Sequence, residues 1–158
     1  MKVIRARNEP QGPHDPDGVL ISALRIAAPS FEDAWRDLVA DWQPDDVPVY
    51  VSAGAFAHHL VHRLETQATE EFPVVFAEIE RLLREGDAGV RYLVTWGLLE
   101  DIGNVAANDH GWPFARRFRE WFGHTTTAAW DEIHRRSGTD PHDPRRVTLR
   151  DADQSKRS

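Results

Sequence analysis

Histidines spaced for metal binding lie in the segment HHLVHRLE, residues 58–65. His58 and His62 stand four positions apart, and Glu65 follows three positions later. On a helix this spacing places the three side chains on one face, where imidazole and carboxylate groups bind zinc or a two-metal centre. Two interpretations follow, a metal-dependent enzyme or a polar helix face. The second is favoured, and no metal or cofactor is predicted, because no other segment supplies a histidine ligand in a matching context.

Glu80 and Glu100 are the second candidates for chemistry, as a pair of carboxylates. They follow apolar helical patterns on either side of the turn at Gly86 and Asp87. If the two helices pair across that turn, residue 94 lies level with Glu80, and Glu100 lies about 9 Å further along at ~1.5 Å per residue. This offset argues against a catalytic pair, so no catalytic residue is predicted.

A strip of polar residues runs through LVTWGLLEDIGNVAANDHGW, residues 93–112. Glu100, Asn104 and Asn108 are spaced four apart, and Asp101 lies beside them. Such a strip ties neighbouring helix ends by hydrogen bonds, receives a partner, or faces water. The first role is favoured for Glu80, Glu100, Asn104 and Asn108, and the second role comes next.

Other kinds of catalytic site lack their residues. The chain has no cysteine, no G-x-S-x-G nucleophile turn and no glycine-rich phosphate loop. Gly97 and Gly103 lie along one helical pattern, where glycine lets another helix approach closely. The arginines among the aromatic residues of 112–123 fit an exposed amphipathic face. The protein is therefore expected not to be an enzyme, although the metal-dependent alternative stays open.

Apolar residues recur at helical spacing from Ser30 onward, which predicts an all-α fold. Ser30 and Ser52 are expected as N-caps, Asp87 as a third, and Pro73 is compatible only with a first helical turn. Short connections favour five to six antiparallel helices in a bundle or a short HEAT-like stack. The predicted helices are 30–42, 52–67, 69–86, 87–108, 112–123 and 125–138.

The two ends differ from the helical domain predicted for residues 30–136. Residues 1–29 form an extension in which 18–28 is a short strand, paired in a β-hairpin with 2–7, or else a helix; periodicity does not decide between them. Residues 137–158 are polar with few large apolar side chains, which predicts a disordered tail.

Charge is distributed unevenly along the chain. Residues 30–110 carry sixteen acidic and five basic side chains, whereas the whole chain has a net charge of −7. An acidic body repels phosphates, so nucleic-acid binding is not expected. No apolar run reaches the ~18–20 residues of a membrane span, and the N-terminus lacks the apolar stretch of a secretory signal, so a cytoplasmic protein is predicted.

Two stretches, 76–106 and 114–136, resemble a bacterial helical family of unknown function. Its elements I-E-x-L-L-x-x-G-D, G-L-L-E-D/N-L-x-N and L-G-P-x-[ST]-x-x-x-W-D-x-L correspond here to Ile79–Asp87, Gly97–Asn104 and Phe122–Ile133, with His124 in place of the usual proline. The likeness covers roughly 50–136. It implies a helical fold and relatives that are immunity proteins of polymorphic toxin systems.

Together these observations predict a noncatalytic protein-binding module, an immunity protein that occludes a basic toxin. A HEAT-like adaptor or scaffold is a further alternative, and the oligomeric state stays open. The acidic side chains expected to bind the partner are Glu65, Glu70, Glu71, Glu78, Glu100, Asp101 and Asp109.

Overall fold

The computed structural model describes residues 18–136, and every regular element in that range is helical. Short 3₁₀ turns at Pro29–Phe31 and Arg116–Trp121 and a π-helical segment at Leu93–Leu99 accompany the α-helices. The α-helices are α1 (Val19–Ala27), α2 (Glu32–Trp42), α3 (Val49–Glu65), α4 (Phe72–Glu85), α5 (Ala88–Tyr92), α6 (Glu100–His110), α7 (Trp112–Ala115) and α8 (His124–Arg136).

The first helix settles the choice between strand and helix that the sequence left open at 18–28. Leu20, Leu24 and Ala27 are buried at a spacing of four and three residues, which is a helical and not a strand period. Packing of this face on α4 outweighs the β-branched composition of the segment. The predicted extension 1–29 therefore includes a helix of the core. The partner strand expected at 2–7 and the tail expected at 137–158 lie outside the described residues.

The helix expected at 87–108 is one continuous path with three parts, α5, the π segment and α6. Asp87 caps it as predicted, because its carboxylate accepts a 2.9 Å hydrogen bond from the Val90 amide. Gly111 ends it with a φ of 87°, a conformation that side chains other than glycine rarely adopt. A π turn closes i to i+5, so the α-helical faces on its two sides are not in register.

Large aromatic side chains fill the centre of the molecule. Phe72 lies 5.6 Å from Phe76 and 5.8 Å from Phe118, measured between ring centres. Trp130 of α8 is fully buried and packs on Phe122. Pro73 lies in the first turn of α4, as expected. The helices of 69–136 are therefore held by one aromatic core.

Helix α2 buries little of the apolar stripe that helical spacing predicts for it, which consists of Phe31, Trp35, Leu38, Val39 and Trp42. Of that stripe only Phe31, just before the helix, is buried, while Trp35 and Val39 are partly exposed and Trp42 is 36% exposed. Helix α2 is thinly covered because α1, before it, packs on α4, whereas α3, after it, packs mainly on α6 and the π segment.

The two serines expected as N-caps have other roles. The Ser30 hydroxyl hydrogen-bonds to the Glu71 carboxylate and, at 2.9 Å, to Nε2 of His59, which ties the α1–α2 connection to α3 and α4. Helix α3 begins at Val49, so Ser52 lies inside it. There its hydroxyl donates to the Pro48 carbonyl at 3.4 Å. Pro48 holds the N-cap position of α3, and no side chain caps this helix.

Helices α3 and α6 lie side by side and run parallel, because the residue numbers of adjacent pairs increase along both helices in the same direction. A methyl group added at Gly97 would lie 3.6 Å from the Tyr50 ring, and one added at Gly54 would lie 3.4 Å from Oδ2 of Asp101. At the far end Glu65 lies 3.6 Å from His110. This is the arrangement expected of two helices separated along the chain by one antiparallel helix. Within 18–136 no helix is both long and apolar enough to cross a membrane.

Candidate partner-binding face

One face of the α3–α6 pair combines tyrosine, histidine and carboxylate side chains. We define the α3–α6 face by Tyr50, His58, Tyr92, Glu100 and Asp101. Helix α3 supplies the first two residues, and the path through the π segment into α6 supplies the other three. The π segment directly precedes Glu100, and such segments occur frequently at functional sites.

The two carboxylates of this face are partly buried. Burial raises the pKa of Glu100, and repulsion from Asp101 raises it further. Burial also raises the pKa of Asp101, against the opposing attraction of His58. No ion pair joins either carboxylate to an arginine or lysine of the described part of the chain. Their negative charge is therefore available to a cation from outside.

Two tyrosines border the carboxylates. Tyr50 is 47% exposed and Tyr92 is 50% exposed, so each presents a large ring to solvent. Burial of the hydroxyl raises the pKa of Tyr50, and the nearby Tyr92 and Glu100 add to the effect. The influence of Tyr92 and Glu100 on this pKa indicates that both lie near the Tyr50 hydroxyl. Tyrosine is enriched in protein interfaces and among the residues that contribute most to binding.

The other predicted partner-binding acids divide into two groups. Glu65 lies on the same helix pair, near His62 at 3.9 Å and His110 at 3.6 Å, and Asp109 is exposed at the end of α6. The remaining three acids bind residues of the chain itself. Glu70 accepts from Arg63 at 3.3 Å, Glu71 accepts from the Ser30 amide at 3.1 Å, and Glu78 accepts from Nε of Arg81 at 2.9 Å. Three of the seven acids are therefore already engaged by other residues of the chain.

The histidines spaced for metal binding lie at the surface. His58 is exposed, and the His62 side chain is 68% exposed with Glu65 as its ionic neighbour. His59, between them, is the partly buried one, and burial together with Arg63 lowers its pKa. In residues 18–136 no group of three or more histidine, aspartate or glutamate side chains is placed to hold a metal ion.

Comparison with known families places this geometry in a wider group. Residues 21–137 match a domain of unknown function, DUF7674. The chain belongs to the DUF7674 family. The matched residues include most of α1, which agrees with the packing of that helix in the core. No curated protein and no solved structure shows significant similarity to the chain.

Among the polar residues expected to tie helices in this DUF7674 domain, Glu80 makes the clearest tie. Its carboxylate accepts from the amides of Thr125 and Thr126, at 3.0 and 2.7 Å, and from the Thr126 hydroxyl at 3.1 Å. Burial alone would raise the pKa of Glu80, but these hydrogen bonds outweigh it and hold the pKa below its usual value. A side chain of α4 thus caps the first turn of α8.

The other polar residues of the strip are not ties of this kind. Asn104 and Asn108 are exposed on α6, and no side-chain hydrogen bond links them or Glu100 to another residue of 18–136. Because Glu80 is committed to α8, it is not available to Glu100 as a catalytic partner. The polar strip of the DUF7674 domain therefore faces outward along α6.

Tyr50 and Tyr92 are the residues of this face that the sequence did not single out. Each stands in or beside an apolar run, where an aromatic residue is typically part of the core. Only the packing of α3 against the π segment leaves both rings half exposed. A tyrosine in place of phenylalanine was the one available signal, and it is weak.

Proposed function

We propose that this protein is a noncatalytic binding module that docks a basic protein partner on its α3–α6 face. The observation that carries the proposal is the pair Glu100 and Asp101, which are partly buried and have no cationic partner in the described residues. The protein scaffold has already removed part of the water around these carboxylates. A lysine or arginine brought by a partner therefore gains charge–charge attraction at a reduced desolvation cost.

The two tyrosines add apolar contact area and hydrogen-bonding groups beside the acidic pair. Rings at Tyr50 and Tyr92 offer apolar area with few rotatable bonds, and their hydroxyl groups can hydrogen-bond to a polar rim. The net charge of −11 over residues 30–110 attracts a basic protein over a longer range and increases its association rate. We further propose that the partner is a bacterial toxin and that binding occludes its basic surface in the cytoplasm.

The first test is co-expression with the product of the neighbouring gene, followed by affinity purification. The proposal expects a stable complex and rescue of cells that the product alone would kill. Absence of both complex and rescue would refute the immunity role. A complex without rescue would favour an adaptor instead.

The second test locates the interface. The double variant Glu100→Gln and Asp101→Asn is expected to raise the Kd about tenfold or more, because each lost charged contact is worth roughly 1 kcal/mol or more. The matched control is Glu70→Gln with Glu78→Gln, which removes the same charge from acids already paired with Arg63 and Arg81. Equal effects of the two double variants would show that only net charge matters and would refute this face as the site.

A further inference from the structure

A groove between α1 and the end of α2 is separate from the α3–α6 face. Its lining is mainly apolar, and its volume is about 480 Å³. Gly18, the first described residue, lies at its edge. The side chains that line the groove include Trp35, Val39, Asp45, Asp46, Val47 and Val49.

The groove joins partly buried apolar side chains to exposed carboxylates. Trp35, Val39 and Val49 are only partly covered, although they belong to the apolar sides of α2 and α3. Asp45 and Asp46 are exposed and form no ion pair with a basic residue of 18–136. A matching occupant is therefore a segment that carries both apolar and basic side chains.

The chain contains such a segment immediately before the groove. Residues 2–7 read KVIRAR, with Val3 and Ile4 as apolar side chains and three basic residues around them. Residues 8–17 connect this segment to Gly18, and ten residues span up to about 33 Å when extended. Helix α2 has 11 residues and is about 16 Å long, so the connection is long enough for residues 2–7 to reach any part of the groove.

We infer that residues 2–7 bind in this groove, with Val3 and Ile4 against Trp35 and the basic side chains beside Asp45 and Asp46. The tether favours the contact because a segment joined by a short linker has an effective concentration in the millimolar range. A contact that is weak between separate molecules is then well populated within one chain. The groove is thus an intramolecular docking site for a basic apolar peptide.

The test uses the absence of cysteine in the natural chain. Ala6→Cys, carrying a nitroxide, is introduced into the full-length ¹⁵N-labelled protein, and amide and indole signals are compared before and after reduction of the label. The signals of Trp35, Val47 and Val49 are expected to weaken about threefold or more, because the tethered segment has a high effective concentration at the groove. Signals of α8, which packs on α4 and on the π segment, are expected to keep theirs.

Two charge variants decide whether the groove itself is recognised. Asp45→Asn with Asp46→Asn is expected to abolish the broadening at Trp35. Asp37→Asn with Asp41→Asn removes the same charge from the side of α2 that faces away from the groove, and it is expected to leave the broadening unchanged.

Three results would overturn the inference. The first is full intensity at Trp35 in the labelled protein without a charge variant. The second is an equal response to both charge variants, which would indicate non-specific attraction. The third is equal broadening in a mixture in which the nitroxide is on protein without ¹⁵N and the ¹⁵N protein has no nitroxide. That result would assign the contact to a second molecule.

Discussion

Glu80→Ala is the substitution that most directly tests how α4 and α8 are joined. The change leaves the Thr125 amide, the Thr126 amide and the Thr126 hydroxyl without their acceptor. Loss of an N-terminal cap costs about 1–2 kcal/mol, and loss of a negative charge at a helix N-terminus adds about 0.3–1 kcal/mol. We therefore expect the free energy of unfolding to fall by about 2–3 kcal/mol.

Urea unfolding followed by circular dichroism measures this loss. Glu85→Ala is the matched control, because Glu85 lies on the same helix, is 58% exposed and contacts only Arg81 at the surface. That control is expected to change stability little. A loss below about 0.5 kcal/mol for Glu80→Ala, the size of an ordinary surface substitution, would refute the capping argument.

Gly123→Ala provides an independent perturbation of the same contact. A methyl group at Gly123 would lie 2.6 Å from the Glu80 carboxyl, so the carboxyl must move away from α8. The stability lost in Gly123→Ala should therefore come mostly from the broken hydrogen bonds of Glu80. The double variant Glu80→Ala and Gly123→Ala is expected to lose about 1 kcal/mol less than the sum of the single variants. Additive losses would show that the two residues act separately.

The pH dependence gives a third measurement of the same cap. Because the pKa of Glu80 is lower in the folded than in the unfolded protein, its contribution is present at neutral pH and is lost as pH falls through the folded pKa. Glu80→Gln removes this titration. The stability difference between the natural protein and Glu80→Gln should therefore shrink below about pH 4. A difference that is constant with pH would contradict the assignment.

Two further predictions concern stability elsewhere. Glu100→Gln with Asp101→Asn is expected to stabilise the isolated protein at pH 7 by up to about 1 kcal/mol. The reason is that a carboxyl whose pKa is raised by folding lowers the stability of the protein as pH rises and the group ionises. A destabilised variant in an unfolding curve at neutral pH would contradict this. Ser30→Ala removes the bonds to Glu71 and His59 and should cost about 0.5–1 kcal/mol. Faster amide exchange at the start of α2 is the measurement, and unchanged exchange is the opposing result.

Much of the fold could be predicted from local pattern. Helical spacing of apolar residues located α3, α4 and α8 to within a few residues, and Asp87 and Pro73 took the positions that their backbone chemistry favours. Gly103 also agrees with the expected close helix approach, since a methyl group there would lie 3.2 Å from the Trp130 ring. These features depend on neighbours within one or two helical turns, which the sequence displays directly.

Other features depended on residues far apart in the chain. The choice between strand and helix at 18–28 was open because eleven residues are too few for a clear period, and packing on α4 decided it. The position of Ser30 suggested an N-cap, but its hydroxyl donates a hydrogen bond to the carboxylate of Glu71, forty-one residues away. The extra residue per turn of the π segment had no visible signal in LVTWGLL.

The sequence by itself determined that the protein is helical and that its middle is strongly acidic, because periodicity and charge are properties of the chain alone. Only the tertiary structure decided which acids are satisfied and which are not. Glu80 and Glu100 look alike in the sequence, yet one receives three hydrogen bonds from α8 and the other lies partly buried without a cation. The difference arises because hydrogen-bond partners and burial come from the packing of distant helices.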